Sequence, residues 1–150
     1  MRSWRSLEAK RRASKLVPSL VDSNILLDVM SQDPKWFHWS STILENLADS
    51  TRLIINPIIF AEVSIRYSTI EELERALPPA LIEREPVPFE AAFLAGKCFL
   101  KYRRWGGARS STLPDFFIGA HAAIAGYRLV TRDAARYRTY FPKLVILAPP

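Results

Sequence analysis

The chain has 150 residues, 49% of them hydrophobic and 24% charged, with a formal net charge of +6. That length suits one domain, and the composition excludes a largely disordered protein. No apolar run reaches the ~20 residues of a bilayer span, no apolar segment follows the basic N-terminus as a secretory signal requires, and the single Cys98 offers neither a disulfide nor a zinc set, so a cytoplasmic protein is expected.

The charge is unevenly spread along the chain. Residues 1–17 hold six Lys or Arg against one Glu, residues 18–96 hold five basic against twelve acidic side chains, and residues 97–143 hold ten basic against two acidic. A basic final third beside a carboxylate cluster suits a protein that steers phosphates toward an anionic centre. Lys101, Arg103, Arg104 and Arg109 read equally well as the solvated end of a helix and its loop.

Residues 1–17 are predicted to be a basic arm outside the core, and residues 18–150 the folded domain. The first strand, 19–21, ends at Asp22 and runs into a short helix, with Ser23 and Asn24 at the turn. Asp22 suits a helix N-cap as well as a ligand, and Asn24 suits either orienting a carboxylate or closing the turn. Asp28, further along, is expected to be solvated. Asp33 as cap and Pro34 at the first position open the next helix, whose apolar face is Trp36, Phe37, Trp39, Ile43, Leu44 and Leu47. The two tryptophans read as core, with a partner groove as the alternative, and His38 reads as a surface residue. Residues 51–55 form the second strand, followed by Asn56 as cap and Pro57 as first helical residue. Glu62 falls in the second turn of that helix beside the predicted face of Ile58, Ala61 and Ile65, and it reads as an acid held inward.

Thr69 and Glu72 form a capping box opening an acidic surface helix, which Leu77-Pro-Pro breaks. Residues 81–88 are expected to be extended, and residues 90–104 to form a helix with Ala91, Leu94, Ala95, Cys98 and Tyr102 along one stripe. Trp105-Gly-Gly opens a loop that continues to Ser111. Thr112 then caps a helix with Asp115 in its first turn, where an acid favours the helix N-terminus in any case. Gly126 stops that helix, residues 127–130 form a strand, and Thr131-Arg-Asp133 follows it. Asp133 suits a turn or cap as well as a ligand. Residues 144–147 supply a last strand.

Three strand-helix units thus place acids near strand ends, where an open α/β sheet binds its ligands. Crowded carboxylates repel one another unless some are protonated or cations sit among them. Oxygen ligands without His or Cys favour Mg2+ or Mn2+ over zinc, and such ions assist phosphodiester hydrolysis. No Gly-rich phosphate loop and no Gly-x-Ser-x-Gly elbow is present, which argues against a nucleotide-binding P-loop or dinucleotide fold and against a serine hydrolase.

Four segments, Leu20-Val-Asp22-Ser-Asn24, Asn56-Pro-Ile-Ile-Phe-Ala-Glu62, Leu113-Pro-Asp115-Phe-Phe-Ile-Gly-Ala and Leu129-Val-Thr131-Arg-Asp133-Ala-Ala-Arg-Tyr-Arg-Thr-Tyr-Phe-Pro142, occur in an order and spacing that resembles PIN-domain proteins. More narrowly the chain resembles the VapC-type toxins of bacterial type II toxin-antitoxin pairs. The resemblance implies an α/β fold with three α/β/α layers and a central, mostly parallel sheet. It implies a catalytic Mg2+ site built from Asp22, Glu62, Asp115 and Asp133, with Asn24 and Thr131 hydrogen-bonded behind it. It further implies endoribonuclease activity, a homodimer and a cognate antitoxin that inserts a segment near the site. Arg104, Arg109 and Arg132 are the candidate RNA contacts. A haloacid dehalogenase-like phosphatase is the first rival, although that family resembles Asp-x-Asp after the first strand and this chain has Asn24 in the second place. A non-catalytic module that binds a metal or a partner is the second.

Overall fold

The three central strands are short and mostly apolar, as parallel strands covered on both faces must be. In the computed structural model, which describes residues 17–107 and 112–150, β1 (Ser19–Val21) and β2 (Leu53–Ile55) are buried along their whole length. Nearly all of the predicted basic arm, and Arg109, lie outside the described residues. With β3 (Glu83–Arg84), β4 (Arg128–Val130) and β5 (Ile146–Leu147) they form one five-stranded sheet in the order β3-β2-β1-β4-β5. Every neighbouring pair is parallel. The expected α/β class and parallel sheet are therefore present.

The order 3-2-1-4-5 means that the chain leaves β1 toward one edge and later returns past it to β4. Crossovers between parallel strands are right-handed almost without exception, so the helices before β3 and those after it cover opposite faces. Packing agrees. On one side α1 (Ser23–Met30) packs on α2 (Phe37–Ser50) and α3 (Pro57–Ser64), with α4 (Ile70–Ala76) following; on the other α6 (Leu113–Ala125) packs on α5 (Phe89–Arg104) and α7 (Ala135–Arg138). The register pairs Val21 with Val130, so Asp22 and Thr131 leave the sheet side by side at the point where the strand order divides. That crevice is where an open α/β sheet takes its ligands.

Local sequence fixes most element ends. Asn56 Oδ1 accepts from the Ile59 N–H at 2.9 Å to cap α3, and Thr69 Oγ1 accepts from the Glu72 N–H at 3.2 Å to cap α4. Glu72 Oε2 reaches back to the Ser68 N–H, one residue short of the predicted capping-box partner. Gly126 ends α6 in the left-handed region at φ 74°. The sheet and its covering helices bury one apolar core that includes Leu20, Ile54, Ile59, Phe116, Leu129 and Tyr137. No helix among the described residues is long and apolar enough to cross a membrane.

Two expectations are corrected. The second helix begins at Phe37: Asp33 Oδ1 accepts from the Lys35 and Trp36 N–H groups, so it caps a preceding turn instead. In α3 the buried face is Ile59 and Val63, not Ile58, Ala61 and Ile65, and Ile65 is 85% exposed. An apolar run has no periodicity to say which stripe faces inward, and packing of α3 against α1 and α6 turns Ile59 and Val63 into the core.

Candidate active site

Asp22 is the first residue beyond β1 and the N-cap of α1, and only 4% of it is exposed. Its Oδ1 accepts from the Ser23 N–H at 2.7 Å, while Oδ2 accepts from the Thr131 hydroxyl at 2.8 Å and the Tyr137 phenol at 2.7 Å. Burial pushes its pKa above the usual carboxylate value; the donors from Tyr137 and Thr131 pull the other way, and the charge of Asp115 adds to the rise. Tyr137 is itself fully buried, and its phenol is held far above its ordinary value, first by burial and then by the charges of Asp22 and Asp115. It therefore serves Asp22 as a hydrogen-bond donor.

Glu62, in the second turn of α3, is half-buried and accepts from the Ser23 hydroxyl at 3.2 Å. Its pKa is raised by burial first, then by the charge of Asp22, with a smaller push from Asp115. Asp115 sits at the third position of α6 with 5% exposure, and its Oδ2 accepts from the Thr112 N–H at 2.9 Å and hydroxyl at 3.1 Å. It fills the capping role that its position predicts, and its charge still reaches Asp22 and Glu62. Oδ2 serves the cap, whereas Oδ1 stands 4.0 Å from Arg136 Nη1.

Asp133 lies at the rim. The Asn24 amide donates to its Oδ2 at 3.4 Å and to Thr131 Oγ1 at 3.2 Å, and Arg136 Nε stands 3.7 Å away. Thr131 Oγ1 also accepts from the Asp133 N–H, and Asn24 Oδ1 from the Arg132 N–H. Asp22 and Asp133 are thus joined through Thr131 and Asn24, and Asp22 and Glu62 through Ser23. The four acids come from four different segments: the charge of Asp115 acts on Asp22 and Glu62, that of Asp22 acts on Glu62, and Asp133 is linked to Asp22 through Thr131. Among the described residues, however, no three His, Cys, Asp or Glu side chains stand closely enough to hold an ion as placed. The donor set nevertheless suits a hard cation: it is oxygen only, and the pKa values of Asp22 and Glu62 are both raised in part by the charge of neighbouring acids.

The arginines expected from the sequence to contact RNA fare differently. Arg104 is exposed in the last turn of α5. Arg132 does not present a free cation: its Nε donates to Asp28 Oδ2 at 2.7 Å and its guanidinium lies over Trp36 at 5.1 Å. Asp28, expected in solvent, is 3% exposed and also accepts from the Ser40 hydroxyl at 2.7 Å. An acid buried that deeply demands a charged partner, and Arg132 is the one supplied. This ion pair fastens the Thr131–Asp133 turn to α1 and α2.

Sequence reasoning passed over Ser23, Tyr137 and Arg136 as functional residues. Ser23 adjoins Asp22, and its position gave the available hint. Tyr137 and Arg136 lie in a four-residue helix inside the last of the four segments quoted above, but nothing in that segment assigns either of them a role.

Comparisons with known proteins follow the same lines. The family model described as PIN domain matches residues 19–142. Among solved structures, VapBC2 from Rickettsia felis bound to a promoter DNA fragment is similar at 19% identity and a TM-score of 0.68, covering 88% of this chain and 98% of that one. VapBC-1 from nontypeable Haemophilus influenzae is similar at 18% identity and TM-score 0.67 with the same coverage, and a toxin-antitoxin complex from Klebsiella pneumoniae at 21% and 0.63, again with 88% and 98% covered. Among curated proteins, none matches. A family match over most of the chain, on a parallel sheet whose dividing point gathers the acids, has one reading: the chain belongs to the PIN domain family.

Proposed function

We propose that this protein is a metal-dependent endoribonuclease of the VapC kind, acting as the toxin of a toxin-antitoxin pair. The observation that carries the reading is the convergence of Asp22, Glu62 and Asp115, from separate segments, into one electrostatically coupled group at the dividing point of the sheet. Asp22 and Asp115 form the buried floor, and Glu62 and Asp133 close the sides. Together they would hold Mg2+ or Mn2+, which supplies Lewis-acid stabilisation of the phosphoryl group and a more acidic water for attack. Thr131, Tyr137 and Ser23 donate to the acids and keep their lone pairs aimed, and Arg136 offsets part of the negative charge at the rim. The exposed basic end of α5 draws the RNA backbone in. The solved structures described above as VapBC or toxin-antitoxin complexes support a cognate antitoxin as partner, and a homodimer is part of the proposal.

Cleavage of a panel of RNAs in the presence of Mg2+ or Mn2+ tests this directly. Asp22→Asn and Asp115→Asn are each expected to lower cleavage by about a thousandfold or more while circular dichroism and gel filtration stay as in the parent. Parental rates in both variants would make the acids structural. Turnover of phosphomonoesters without RNA cleavage would favour a phosphatase, and no turnover with any divalent ion would leave a binding module.

A further inference from the structure

Two of the four acids ride on helices that come from opposite faces of the sheet, Glu62 on α3 and Asp115 on α6. Those helices are joined by a buried side-chain bond that involves neither acid. Asn56, the cap of α3, is 2% exposed, and because its Oδ1 accepts from the Ile59 N–H, its Nδ2 is turned toward His121 on α6. The distance from Asn56 Nδ2 to His121 Nδ1 is 3.0 Å. A donor there requires a lone pair on Nδ1, which puts the ring proton on Nε2.

His121 is fully buried. Its Nε2 lies 3.5 Å from Glu85 Oε2, within ion-pair reach but without hydrogen-bond geometry. Glu85 is otherwise occupied: both its oxygens accept from the Tyr127 phenol at 2.8 Å, and Arg52 Nη2 stands 3.8 Å from Oε1. Burial holds the imidazole below its ordinary pKa, against the pull of Glu85, so the ring is neutral and its Nδ1 stays an acceptor. A polar ring enclosed in this way does not reduce to filler, since an apolar side chain would occupy the same volume with no polar atom to satisfy.

We infer that Asn56 and His121 form a positioning pair, which sets the spacing of α3 and α6 and through it the approach of Glu62 and Asp115 to a shared cation. The inference rests on the proposed metal-dependent chemistry. It also explains why a helix cap and a mid-helix histidine, distant in sequence, share one buried bond.

A double-mutant cycle on the intact chain tests it, with Mn2+ affinity read by calorimetry and RNA cleavage read separately as kcat and KM. Asn56→Ser keeps a capping hydroxyl but cannot reach His121, His121→Leu removes the acceptor, and His121→Asn restores an oxygen near the place of Nδ1. Asn56→Ser and His121→Leu are each expected to weaken Mn2+ binding and kcat by about tenfold with KM unmoved, and the double variant to be no worse than either, because both remove one interaction. His121→Asn is expected to recover most of the loss. Parental Mn2+ affinity and kcat in Asn56→Ser and in folded His121→Leu would overturn the inference, as would losses that multiply in the double variant or a His121→Asn no better than His121→Leu. Because affinity is read without turnover, a parent that binds Mn2+ but cuts no RNA defeats the nuclease reading and leaves the pair to be judged by binding. A parent and variants that bind and cut alike defeat the pair alone.

Discussion

Asp22 is buried to 4% exposure with the charge of Asp115 close enough to act on it, so its ionised form is sustained by the groups that donate to it. Its pKa in the folded chain lies above the unfolded value, so without a cation this residue favours folding below the ordinary aspartate range and costs stability as pH rises through the folded value. Tyr137→Phe keeps the ring and deletes one donor, which raises that pKa further. The expected results are an acid limb of the pH-rate profile moved to higher pH and a loss of about 1.5–3 kcal/mol at neutral pH that shrinks on acidification, measured by cleavage assays and urea unfolding across pH. An unshifted acid limb would mean that Asp22 does not need the phenol. Residue-level legibility followed the same division. The acids could be picked out because each stands near the end of a strand or the start of a helix, where the sequence itself marks the place. Tyr137 and Asp28 could not, because their partners lie 115 and 104 residues away and leave no local pattern.

At the scale of elements, caps and stops were legible wherever a single residue type answers a backbone need, as with Asn56, Thr69 and Gly126. Orientation was less so: α3 is apolar on nearly every side, and only packing against α1 and α6 decides that Ile59 and Val63 turn inward. A comparable long-range constraint sits in α6, where a Cβ added to Gly119 would lie 2.4 Å from Cε2 and 2.6 Å from Cδ2 of Phe141. Phe141 is 5% exposed and packed in the core, so its ring has little room to withdraw. Gly119→Ala should therefore destabilise by about 1–3 kcal/mol, less the ~1 kcal/mol that alanine gains over glycine in a helix interior. Gly96 in α5 has nothing within 4 Å, so Gly96→Ala should show that gain by itself. Chemical denaturation of the two variants should give shifts of opposite sign. A stabilised Gly119→Ala would show that α6 can move away from Phe141, and Asp115 and His121 with it.

Over the whole molecule, charge and topology divide the work. The sheet brings acids from the chain's acidic middle and from its C-terminal third to one crevice, whereas the last turn of α5 carries Lys101, Arg103 and Arg104. A polyanion approaching that crevice meets like charge unless cations outside it supply the attraction. Arg132 looks from sequence like one of those cations, but it is held by Asp28 and Trp36 and its charge is spent on the fold. Arg104 is exposed and stands in a helical turn whose carbonyl end already favours cations, so neutralising it should change steering and leave the acids alone. Arg104→Gln is expected to raise KM for RNA about threefold with kcat unchanged, and to lower the slope of log affinity against log salt by about 0.7, the value of one phosphate contact on a single strand. Fluorescence anisotropy over a salt series, with Asp22→Asn as the background so that the RNA stays intact, measures that slope. An unchanged slope would place the RNA path away from the end of α5, and the basic third would then serve solubility or a partner instead.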